Sequence, residues 1–274
     1  MTSISGRAVA SEPSPANPDI DANPYFILTA EADSAIAKGD YDRAAARLID
    51  AMAVEPDNPG NLLLKTNLGI VYSALDRDSL ATATLSDVIS RAPSMTVALV
   101  ARGRIALKTR HDSLALADFS RAIKVDSLCT DARYFRGLMA LYGGDRKMAE
   151  ADLAVIGSLQ PDRPRTLSAL GALYSMTGRE REAVKYLERL IEDDPAPEFY
   201  ATLAGCYLTL EKLSDASRVI AEGLRLYPRD PELYYYRAWL NRERFRYDDA
   251  KADAKLAIKY GASPQKVNDL FKKK

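Results

Sequence analysis

Histidine is almost missing from this chain of 274 residues, and cysteine and tryptophan are scarce: one His, two Cys and one Trp. With His111 alone, a histidine-based metal cluster is excluded, and any Ser-His-Asp triad would have to be built on it. His111 stands beside Asp112 in a stretch read as a turn, so an exposed turn residue is its expected role. Cys129 and Cys206 are too few for a disulfide framework and are read as buried or incidental thiols. Neither sign of charge is in excess: 38 basic residues balance 38 acidic ones. No whole-protein field therefore draws in nucleic acid or an anionic membrane. No apolar run approaches the ~18 residues that membrane insertion needs. The stretch Met1 to Arg7 lacks the apolar region of a signal peptide. A chain exported and relieved of its leader would look the same, so a soluble protein of the cytoplasm or of the periplasm is expected.

Catalytic motifs are missing as well. There is no glycine-rich phosphate loop. Asp19, Asp21 and Asn23 imitate the start of a calcium loop, but Pro24 stands where its glycine belongs and Ala30 where its glutamate belongs. Ser263-Pro264-Gln265-Lys266 has the Ser-x-x-Lys spelling of acyl enzymes without the partner motifs. A helix start explains it fully: Ser263 as N-cap, Pro264 as first helical residue. The expectation is a protein with no catalytic residues, no metal and no cofactor.

What the chain has is a period. Ala44, Ala81, Ala115, Ala149, Ala183, Ala216 and Ala250 succeed one another at 37, 34, 34, 34, 33 and 34 residues. Twelve residues earlier, Ala32, Gly69, Gly103, Gly137, Gly171, Ala204 and Ala238 keep step. A fixed period of this size marks stacked repeats. Within one unit, Leu167, Leu170, Gly171 and Tyr174 make one helical face, Gly178 breaks the helix, and Ala183, Leu187 and Leu190 supply a second stripe that Pro195 stops. The unit is a helix, a short turn and an antiparallel second helix. The small residues predict close approach of the two, which offsets the ~1 kcal/mol that a glycine costs inside a helix.

These residues resemble the tetratricopeptide repeat family, in which Leu-Gly and Tyr on the first helix are succeeded by alanine, a bulky residue, alanine and proline on the second. Leu68-Gly69, Tyr72, Ala81, Leu85, Val88 and Pro93 keep to that pattern, as does the turn Gly39-Asp40-Tyr41-Asp42-Arg43-Ala44. The resemblance implies an all-α, right-handed α-solenoid of seven stacked helix-turn-helix repeats at 25–58, 62–95, 96–129, 130–163, 164–196, 197–230 and 231–262. A capping helix at 263–274 closes it, and Val267, Leu270 and Phe271 give that helix one apolar face. Residues 1–24, with four prolines among Ser, Asn and Asp, are expected to form an extended or disordered arm.

The resemblance also implies a function: a non-catalytic scaffold for protein–protein interaction, its first helices lining a groove that takes a peptide or partner protein. Carried over position by position, the lining includes Phe26, Asn67, Arg104 and Met176. It also includes two aromatic clusters: Tyr134, Phe135, Leu138 and Tyr142, then Tyr235, Tyr236 and Trp239 with Arg242. Each ring either receives a partner's side chain or fills space between neighbouring first helices. The clamp by which some family members grip a chaperone's C-terminal carboxylate is not expected, because Thr29, Asp33, Asn67, Val97 and Ala101 fill its positions and only the asparagine matches. The alternative is a structural subunit that self-associates into a larger assembly, an envelope-associated one included.

Overall fold

The computed structural model describes residues 23–272. Most of the stretch read as an arm therefore lies outside the described residues. Its last two residues open the first helix: Asn23 accepts the backbone N–H of Tyr25, and Pro24 takes the first helical position. The described residues form fifteen α-helices.

The first compact unit, Met1–Val125, holds three antiparallel helical pairs. These are α1 (Pro24–Ala37) with α2 (Tyr41–Val54), α3 (Asn61–Ala74) with α4 (Asp78–Arg91), and α5 (Thr96–Lys108) with α6 (Asp112–Val125). Each second helix packs on the next first helix, and α3 also touches α5. The second unit, Asp126–Lys274, repeats the scheme four times. Here α7 (Thr130–Gly143) pairs with α8 (Arg146–Leu159), and α9 (Pro164–Met176) with α10 (Glu180–Asp193). Then α11 (Pro197–Thr209) pairs with α12 (Leu213–Leu226), and α13 (Pro231–Glu243) with α14 (Tyr247–Tyr260). The short α15 (Pro264–Asp269) lies against α14, capped by Ser263 as the sequence predicts.

The small residues let the paired helices touch. All the alanines of both series are completely buried. A Cβ on Gly69, Gly103, Gly137 or Gly171 would stand 2.7 or 2.8 Å from Leu85, Phe119, Leu153 or Leu187. The bulky residue that claims the glycine's space is thus the one sixteen places on, not the alanine at twelve.

One place earlier on both helices lies a rung that the repeat pattern alone does not reveal. Arg102 clamps the buried Asp118 with two bonds of 2.8 Å and gives a third, of 2.9 Å, to Ser86. One repeat on, Arg136 bonds both oxygens of Asp152, and Arg133 adds another at 2.7 Å. Arg237 and Asn241 hold Asp253 in the same way. In the first repeat the signs are exchanged, with Arg47 lying 3.1 Å from Glu31. Elsewhere the rung is Leu68 with Thr84, Leu170 with Tyr186 and Leu203 with Val219.

The insertion at Pro59-Gly60-Asn61 is fastened by side chains. Glu55 accepts from Asn23 at 2.9 Å and Asn58 at 2.7 Å, while Asn61 donates to the Glu55 carbonyl. These bonds hold the Glu55 carboxyl below its ordinary value.

Candidate functional site

The first helices carry the candidate site, and in each unit they leave concavities between them. In the first unit one is bounded by Asp33, Ile36 and Tyr41 with Asn67, Ile70 and Ala74. Ile70 and Ala74 also border a second, completed by Ala101, Arg104 and Lys108. Asn67 and Arg104, both expected in the groove, therefore flank neighbouring hollows. Lys108 is held at 2.7 Å by Asp76 and at 3.1 Å by Asp78. Phe26 lines neither hollow; it stands half-exposed, edge-on to the buried Tyr25.

In the second unit, α9, α11 and α13 enclose a concavity of about 230 Å3. It joins Met176, Tyr236 and Trp239, three of the expected residues, drawn from the fifth and seventh repeats. Tyr236 stacks on Trp239 with centroids 6.2 Å apart and meets Tyr235 edge-on at 5.2 Å. Gly205 on α11 makes this possible, because a Cβ there would sit 3.0 Å from the Tyr236 ring. The rest of the wall is Cys206, Glu180 and the hydroxyl residues Ser175, Thr202 and Thr209.

The remaining sequence-expected residues go elsewhere. Tyr134 and Leu138 pack on the core shared by α7, α8 and α9, and Arg165 lies over the Tyr134 ring at 5.5 Å. Phe135 meets Tyr134 edge-on at 5.1 Å, whereas Tyr142, 70% exposed, sits near the end of α7. Tyr235 carries Lys266 of α15 over its ring at 4.4 Å. Arg242 donates to the Leu270 carbonyl and to Glu243. Capping of the last repeat thus occupies these two side chains. His111 is exposed in the α5–α6 turn, with Nδ1 2.9 Å from the Thr109 hydroxyl.

Burial shapes the acidity of this wall. Tyr236 is pushed up to about 12 from an ordinary 10.0 by burial, then by the nearby charge of Glu232. Cys206 is pushed up to about 12 from 9.0 by burial, then by Glu180. The thiol is therefore unreactive, since the thiolate is the nucleophile. Both groups hold their protons more tightly folded than unfolded. The stability they protect is complete below pH 9.0 and is lost as the pH rises towards 12. The melting temperature measured by circular dichroism should therefore fall across that window. Cys206→Ala should flatten the part of the fall that begins near 9.0, and a melting temperature constant up to 12 would contradict this.

Residues 29–95 match the family model for the tetratricopeptide repeat. The DnaJ homolog subfamily C member 7 homolog of Dictyostelium discoideum is 21% identical over 243 residues, which are 79% of this chain and 45% of that protein. The chain thus spans less than half the length of this relative. A tetratricopeptide repeat protein from Parabacteroides merdae superposes with a TM-score of 0.60 at 23% identity, covering 90% of this chain and 97% of that one. YrrB, a tetratricopeptide repeat protein with an unusual peptide-binding site, superposes with a TM-score of 0.59 at 16% identity, over 68% of this chain and 96% of its own. Residues 29–95 thus carry the tetratricopeptide repeat, and the repeated helical pairs share the fold of tetratricopeptide repeat proteins, a fold that generally serves as a scaffold for protein–protein interaction.

Proposed function

We propose that this chain is a non-catalytic scaffold that holds a segment of a partner protein against its first helices. The observation that carries this reading is the concavity in which α9, α11 and α13 bring Met176, Tyr236 and Trp239 onto one wall. Tyr and Trp are enriched at binding hot spots because they offer large contact area with a polar handle at little entropic cost. A hollow of this size fits one side chain, not a drug-sized ligand. In the first unit, the hollows beside Asn67 and Arg104 offer comparable places for a partner's side chain. YrrB, of the same fold, has a peptide-binding site.

Thr209 gives a direct test, because it is exposed at the rim and its replacement disturbs no core contact. Thr209→Arg should abolish capture of the native partner from its own organism while helix content and melting temperature stay unchanged. Phe245 stands 78% exposed at the α13–α14 turn, outside the concavity. Phe245→Ser should leave capture intact. A partner retained by Thr209→Arg would overturn the reading.

A further inference from the structure

Apart from the Tyr236 hydroxyl and the Cys206 thiol, which keep their protons, the side-chain polar atoms of the concavity act as acceptors. Thr202 donates its hydroxyl proton to the Glu198 carbonyl at 2.7 Å, and Thr209 donates to the Gly205 carbonyl at 3.0 Å. With its proton so engaged, each oxygen is left with lone pairs only. The half-buried Glu180, at the start of α10, adds a carboxylate, which can only accept. Among the described residues Glu180 has no ion pair or hydrogen bond through that carboxylate. It lies near enough to Cys206 for its charge to bear on that thiol. The nearest indole proton is already engaged, since Trp239 Nε1 donates to Glu243 at 3.0 Å. Lys266, whose ammonium lies 5.9 Å from the centre of the Tyr236 ring, is already paired with Glu232.

An apolar wall of Met176, Tyr236 and Trp239 in one concavity with the acceptors of Thr202, Thr209 and Glu180 suits an aliphatic stem that ends in a cation. Such a side chain lays its methylenes on the aromatic surface, meets the ring face as a cation and keeps its head among the acceptors. An acidic side chain would face Glu180 with like charge, and a purely apolar one would strip water from the carboxylate without replacing it. We propose that this concavity recognises a lysine or arginine side chain on an extended polypeptide segment of the partner, with Glu180 as the counter-charge. The proposal rests on the scaffold reading above and specifies which residue that segment must carry.

The test selects binders from a library of short random peptides on the full chain, with Thr209→Arg as the counter-selection. Trp239 is the chain's single tryptophan, so its emission reports binding at this wall without a label. Peptides lost in Thr209→Arg should share a Lys or Arg at one fixed place and alter Trp239 emission. Norleucine in place of that residue, or Glu180→Gln in the protein, should each weaken binding about tenfold or more, as loss of a charge-assisted hydrogen bond does. Glu180 sits on a helix surface, so Glu180→Gln should keep the fold, which circular dichroism checks. Selected peptides that alter Trp239 emission yet carry no basic residue, or bind Glu180→Gln equally well, would overturn the basic-side-chain proposal and leave the scaffold reading standing. A selection that yields no Thr209-dependent peptide would count against both.

Discussion

Asp152→Ala is expected to destabilise the second unit by about 3–5 kcal/mol. Asp152 is wholly buried and accepts three bonds, two from Arg136 and one from Arg133. Its removal takes away the carboxylate that two guanidinium groups, each mostly out of water, share. The penalty comes from losing that shared acceptor rather than from the worth of the pair, and a companion experiment separates the two. In the first unit, the rung of Arg102 and Asp118 has an uncharged counterpart one repeat earlier in Leu68 and Thr84. Asp118→Ala alone should cost several kcal/mol, whereas the double change Arg102→Leu with Asp118→Thr should be nearly neutral, because a buried ion pair offsets little more than its own desolvation. Urea titrations read by circular dichroism measure all three variants. A cost below about 1 kcal/mol for Asp152→Ala would contradict the burial and bonding described for the rung.

Phe119→Ala is expected to cost about 3–5 kcal/mol in the first unit. The ring is completely buried and fills the space that Gly103 leaves open, so truncation removes apolar contact and leaves a cavity against a helix backbone. In a stacked array each repeat touches only its neighbours, so the damage should stay local. Amide exchange should accelerate in α5 and α6 and in the adjoining α4 far more than in α1. Uniform acceleration along the whole unit would contradict nearest-neighbour packing.

The pairing of helices was legible because it rests on local signals. Glycine or alanine at one place, a turn, and alanine twelve places on are enough to set two antiparallel helices. The turns were legible only in part. Gly39, Gly144 and Gly178 take the left-handed backbone such a turn requires, but Asp76, Arg110, Glu211 and Phe245 adopt it too and give no sign of it in sequence. The Arg–Asp rungs could have been found, since Arg102, Arg136 and Arg237 each precede an aspartate by sixteen residues. Charged residues at a helical surface read as solvated faces, and that masked them.

For the candidate site, counting positions along each first helix placed Met176, Tyr236 and Trp239 on the face they share. The same count puts Thr202 and Thr209 on the lining of the sixth repeat. It did not supply Gly205, which matters only through the approach of α11 to α13. Nor can counting within repeats place the chain that leaves the last of them. The engagement of Arg242 with Leu270 and of Tyr235 with Lys266 depends on where the capping helix settles.

The wall formed by α9, α11 and α13 is the centre of the functional account, and Trp239 sits in it as the chain's only indole. Its Nε1–H therefore gives a single, isolated side-chain resonance in a 15N-correlated NMR spectrum. Addition of the partner segment captured by the wild-type chain should shift that resonance until saturation, and Thr209→Arg should suppress the shift. An indole resonance that stays in place while the segment is fully bound would contradict the account and put the binding surface elsewhere.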